Sequence, residues 1–140
     1  MRSLRPFSKA LLAISVATLV GCSAIESLGL EPRATETLRV RPELTTEQFF
    51  SCVESAILAL RQEHGAKWET DVTLRDLQAA TIETGDYSKS NVIGFRAQAS
   101  LAKEKTTAIL KLKGSGPYYV DLGVSEAIGQ LKAQVTLCTQ

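Results

Sequence analysis

Between Phe49 and Leu60 the apolar residues Phe49, Val53, Ala56, Ile57 and Leu60 recur at helical offsets, while Glu47, Glu54, Ser55, Arg61 and Gln62 fall off that stripe. The spacing predicts an amphipathic helix. Thr45 and Gln48 stand three apart as in a capping box, and Leu44 and Phe49 are placed to form the hydrophobic staple around it. Gly65 ends the helix, with Arg61 and His64 in the last turn at the negative end of its dipole.

Beyond Gly65 the period changes to two. Trp68, Thr70, Val72 and Leu74 alternate with Lys67, Glu69, Asp71 and Thr73, which predicts a strand with one dry and one wet face. A weaker stretch from Ala79 to Thr84 precedes a turn-forming cluster of Gly85, Asp86, Ser88, Lys89, Ser90 and Asn91. Ile93, Phe95, Ala97, Ala99 and Leu101 then alternate with Gly94, Arg96, Gln98 and Ser100, and Ala108, Leu110 and Leu112 alternate with Ile109, Lys111 and Lys113. These are two further strands, joined through Lys103, Glu104 and Lys105. Gly114, Ser115, Gly116 and Pro117 read as a turn, and Tyr118 to Leu122 as a short last strand.

The C-terminal stretch carries two periods at once. Ser125 can cap a helix with Ile128, Leu131, Val135 and Cys138 on one face, yet Leu131, Ala133, Val135 and Leu137 also alternate. Glu126, Ala127, Gln130, Leu131 and Lys132 favour a helix by propensity, against Gly129 and the Val135, Thr136 pair. With the helix chosen, the expected fold class is α+β: a two-layer sandwich in which an antiparallel meander of three or four strands carries an N-terminal and a C-terminal helix on one face.

The first 43 residues have a different character. Arg2, Arg5 and Lys9 precede an uncharged run from Ala10 to Gly21, the order of an export signal, and that run is shorter than the ~20 apolar residues a membrane-spanning helix needs. It ends in Leu19, Val20, Gly21 and Cys22, which resembles the lipobox of bacterial lipoproteins. The resemblance covers this segment alone. It implies removal of residues 1–21, a diacylglycerol thioether on Cys22 as the mature N-terminus, and a durable acyl anchor. Ser23, where an Asp would retain the protein at the inner membrane, implies sorting to the outer membrane with the domain facing the periplasm. From Cys22 to Glu43, Gly29, Pro32, Pro42 and scattered charges give no sustained period, so residues 22–43 are expected to be a tether and 44–140 a single domain. An edge strand over Thr37 to Arg41, where Leu38 and Val40 alternate, is the alternative.

Composition narrows the function classes. The chain has 140 residues, 16 basic and 15 acidic side chains and 6% aromatic residues, enough for one domain. Removing Arg2, Arg5 and Lys9 leaves 13 basic against 15 acidic, about −2, which speaks against nucleic acid and against docking to anionic lipid through a basic patch. With Cys22 lipidated, Cys52 and Cys138 remain as a pair in an oxidising compartment, so a disulfide is the expectation. A bond between the start of the first helix and the end of the last requires the two helices to run antiparallel.

No catalytic constellation is legible, and no cofactor or metal is expected. His64 is the sole histidine and its last-turn position accounts for it, while Gly114, Ser115 and Gly116 lack the spacing and the following Lys of a phosphate-binding loop. Tyr118, Tyr119 and Trp68 are the aromatic concentration, with Trp68 and one tyrosine expected in the core. Ile109, on the same side as Lys111 and Lys113, and an outward Tyr119 are the candidate contact surface. The expected function is a non-enzymatic interaction or assembly module, anchored to the bilayer through Cys22 and serving an envelope protein. The alternatives are a carrier of an apolar ligand held near Ala97, Ala99 and Ala108, and, least favoured, an envelope hydrolase.

Overall fold

A computed structural model describes residues 31–140. The expected export signal, Cys22 and the first part of the expected tether lie outside the described residues. The fold is α+β, with a five-stranded antiparallel sheet and two helices. In chain order the elements are β1 (Arg33–Arg39), α1 (Thr46–His64), β2 (Val72–Asp76), β3 (Thr81–Thr84), β4 (Gly94–Leu101), β5 (Thr107–Ser115), a single 3-10 turn (Pro117–Tyr119) and α2 (Val124–Thr139). Strands β2 to β5 form the expected meander, and β1 adds beside β5, so the sheet order is β1-β5-β4-β3-β2.

The fifth strand corrects the tether. Residues 33–39 pair with β5 over seven positions, from Arg33 opposite Lys113 to Arg39 opposite Thr107. Glu36 occupies a position on the helix-facing side, where its carboxylate takes a 2.9 Å ion pair from Lys132 of α2. A charged residue thus stands in the dry face, and the sequence shows the alternation only at Leu38 and Val40, where the alternative edge strand is expected.

Helix α1 begins as its sequence dictates. The Thr45 hydroxyl accepts from the Gln48 N–H at 3.1 Å and the Gln48 side chain accepts from the Thr45 N–H at 3.0 Å, completing the capping box. Its buried side is Phe49, Phe50, Cys52, Val53, Ala56, Ile57 and Leu60. Helix α2 starts one residue before Ser125, with Gly123 at the cap, while the Asp121 carboxylate accepts from the N–H groups of Gly123 and Val124 at 2.9 Å each. Both helices contribute to one core with Phe95, Ala97, Ala99, Leu101, Ala108, Leu110 and Leu112 of the sheet, so they share one face.

Cys52 and Cys138 are joined, their Cα atoms 5.9 Å apart and 86 residues apart in the chain. The disulfide ties the start of α1 to the end of α2. At the other end of the pair His64 shares a cavity wall with Gly123, Glu126 and Ala127, so the helices run antiparallel.

Three expectations about the sheet change. The stretch expected from Trp68 is regular only from Val72, with a bulge between Val72 and Leu74, and both of these residues are substantially exposed on the edge strand. Trp68 itself is buried, bridged to Phe95 with ring centroids 4.9 Å apart. Strand β5 continues through Gly114 and Ser115, where a turn was expected, because the Phe95 ring lies over Gly114. Tyr118 to Leu122 forms no strand beyond a single bridge from Asp121 to Ser115.

Candidate functional site

Three features stand out on the sheet face turned away from the helices and at its margins. The first is a buried ionic cluster. Arg96 alternates with Phe95 and Ala97, which sends its side chain to the outer face, yet it is completely buried there. The loop from Gly85 to Ile93 folds over it, and the guanidinium donates to the carbonyls of Asp86 at 3.1 Å and Lys89 at 2.8 Å. Glu31 closes the cluster: its carboxylate pairs with Arg96, lies 3.6 Å from the Lys113 ammonium and accepts from the Ser115 hydroxyl at 3.4 Å. Lys113 also donates to the Tyr87 carbonyl at 2.6 Å and sits 4.6 Å from the centroid of that ring. Burial lowers the pKa of both cations, and for Lys113 the neighbouring Arg96 and Arg33 act in the same direction while Glu83 opposes them.

The second feature is an uncharged tip at the end of the sheet where β4 begins and β5 ends. Asn91, Val92 and Ile93 face Ser115 to Tyr119 across an open cavity of about 250 Å³. Tyr118 is 98% exposed, Val120 59% and Ile93 57%. Tyr118 and Tyr119 both have left-handed backbones, φ 54° and 60°, which non-glycine residues other than Asn and Asp seldom adopt. The strain is held by a closed turn in which the Gly116 N–H donates to the Val120 carbonyl at 2.7 Å and the Val120 N–H to the Pro117 carbonyl at 3.2 Å. A hydrogen bond between the Tyr119 hydroxyl and Asn91 ties the turn to the covering loop. Neither tyrosine is in the core, which corrects the expectation for one of them.

The third feature is the β2 edge. Val72 and Leu74 are exposed on the last strand of the sheet and Leu77 in the turn after it, and the outer backbone groups of that strand have no neighbouring strand among the described residues. The Leu74 register runs through Glu83, Gln98 and Lys111 to Thr35, so Leu74 shares the outer face with Lys111.

The sequence-expected surface is divided by this arrangement. Ile109 and Lys111 are exposed on the outer face of β5, but Tyr119 belongs to the tip beyond Ser115, six residues or about 20 Å along the strand from Ile109. Arg96 and Lys113 between them are roofed by the loop. Ala97, Ala99 and Ala108, considered as the wall of a ligand cavity, are close-packed in the core and face no opening. His64 sits 3.8 Å from Glu63 at the end of α1, beside a 180 Å³ cleft lined by Lys67, Trp68, Glu126 and Gln130. Among the described residues no group of three His, Cys, Asp or Glu side chains is placed to hold a metal ion, and no helix is long and apolar enough to cross a membrane.

No family model, no curated protein and no solved structure matches this chain.

Proposed function

We propose that the chain is an outer-membrane lipoprotein, acylated at Cys22, whose periplasmic domain is a non-enzymatic interaction or assembly module for another envelope protein. The observation that carries the interaction reading is the β2 edge. The short β2 edge carries a bulge and the charged Arg75 and Asp76, yet Val72 and Leu74 still add exposed aliphatic surface to it, with Leu77 just beyond. Such an edge suits a partner that adds an extended strand, with backbone hydrogen bonds supplying affinity and Leu74 supplying a side-chain contact. The ion pair of Arg75 with Glu54 and the Thr73 hydroxyl, which accepts from the Asp86 N–H at 3.1 Å, hold the edge to the rest of the fold. Anchoring raises the local concentration of the module near its partner.

The test is site-specific photo-crosslinking in intact cells, with the photoreactive side chain at Leu74 or, as control, at exposed Ala133 on α2. A discrete adduct with one envelope protein from position 74, absent from position 133 and lost in Cys22→Ser, is the expected result. Equal adducts from both positions, or none from position 74, overturn the interaction reading.

A further inference from the structure

We propose that the tip formed by Ile93 and Pro117 to Val120 rests in the interfacial layer of the bilayer that holds the acyl anchor, so that the domain stands on the membrane in a fixed orientation. The inference rests on the lipoprotein reading of Cys22.

The point at which the chain enters the fold selects this surface. The Gly114 N–H donates to the Pro32 carbonyl at 3.0 Å and the Ser115 hydroxyl to Glu31, while Ser115 is itself part of the cavity wall at the tip. The buried pairing of Glu31 with Arg96 and Lys113 fixes that point against the sheet. Nine residue steps lead from Cys22 to Glu31, a span of at most about 30 Å even at full extension. The acylated terminus is therefore tied to the Glu31 end of the domain, and the exposed apolar surface beside that attachment point is the tip.

The chemistry of the tip fits the same place. Residues 90–93 and 114–120 contain no charged side chain, so the tip enters the headgroup region without stripping water from an ion. Tyrosine is favoured there because its ring meets the acyl boundary while its hydroxyl stays hydrated. The left-handed backbones of Tyr118 and Tyr119 hold the turn open, with the Tyr118 ring directed outward instead of folding over the cavity.

The experiment uses the acylated full chain reconstituted in phosphatidylcholine vesicles containing doxyl-labelled lipid. Trp68 is buried and gives a constant background, so Tyr118→Trp reports on the tip and Leu137→Trp on the opposite end of α2. Quenching is expected to be roughly twofold or more greater for Tyr118→Trp, since position 137 lies about 20 Å further along α2 from its start. Adding Ile93→Glu to the Tyr118→Trp chain is expected to reduce the quenching. Acylated, vesicle-bound protein with equal quenching at both reporters overturns the seating and leaves the lipoprotein reading standing. A chain whose mass carries no acyl group overturns that reading and this inference with it.

Discussion

The Glu31 carboxylate and the Arg96 guanidinium form an ion pair on the sheet face opposite the helices, where both side chains are almost wholly removed from water. Arg96 cannot leave, because β4 is paired on both sides and the 85–93 loop lies over it. Glu31 precedes the first strand and is the more easily lost partner. Glu31→Gln leaves Arg96 and Lys113 as buried cations with no carboxylate at this contact, a change expected to cost about 3 kcal/mol. The double variant Glu31→Gln, Arg96→Met is expected to be more stable than Glu31→Gln alone, since an apolar side chain has no charge to strand. Urea unfolding of the natural chain, Glu31→Gln, Arg96→Met and the double variant checks this. Additive losses would show that the pair is not coupled.

The Cys52–Cys138 disulfide closes a loop of 86 residues, for which the loss of unfolded-state freedom amounts to about 4 to 5 kcal/mol. Against the 5–15 kcal/mol typical of a small domain this is a large fraction. Cys52→Ser, Cys138→Ser is therefore expected to lower the melting temperature by roughly 15 to 30 °C. Addition of reductant to the natural chain is expected to reproduce the drop, and a loss of only a few degrees would argue that the helices hold each other without the bond.

Two glycines are expected to respond oppositely to alanine. A Cβ on Gly114 would stand 2.6 Å from Cε1 of Phe95, a ring already stacked on Trp68 and unable to retreat, so Gly114→Ala is expected to cost about 1 to 3 kcal/mol. Gly129 lies inside α2 with nothing within 4 Å of its Cβ position, and Gly129→Ala is expected to stabilise by about 0.5 to 1 kcal/mol. Thermal melts of the pair decide both signs.

What was legible in the sequence was local. The α1 stripe and capping box lie within a few turns of chain, and the helical period at Ile128, Leu131 and Val135 wins over the competing alternation because Leu137, which a strand would bury, is 79% exposed. What stayed hidden depends on distant cover. Arg96 occupies the wet position of an alternating strand, and only the loop ten residues before it and Glu31, 65 positions away, make that position dry. Leu74 shows the converse, an apolar position left open because no strand lies beyond β2 among the described residues. Tyr118 and Tyr119 have strand propensity, but Pro117 and the closed hydrogen bonds of the turn place them in left-handed backbone instead.

The edge itself yields a stability-neutral prediction. Leu74 makes its contacts on an exposed face, so Leu74→Lys is expected to shift unfolding by no more than about 0.5 kcal/mol. The same change places a charge on the free edge, which opposes strand addition. The substitution is therefore expected to abolish the adduct formed by a photoreactive group at neighbouring Val72 while leaving the melt unchanged. A retained adduct would move the contact off this strand.

The tip offers a trade between strain and seating. Tyr118 buries almost nothing, so its left-handed backbone is a cost with no packing return inside the domain. Asparagine tolerates that conformation far better and adds no freedom to the unfolded chain comparable to glycine. Tyr118→Asn is thus expected to raise stability by about 0.5 to 1 kcal/mol, part of the 1–2 kcal/mol that a left-handed residue costs. If the ring serves the bilayer interface, the more stable variant is also the one that seats less well. In acylated protein on phosphatidylcholine vesicles, hydrogen exchange across residues 116–120 is expected to be slowed by the membrane in the natural chain and not in Tyr118→Asn. A variant that gains stability and keeps its full membrane protection would separate the strain at Tyr118 from any role at the lipid surface.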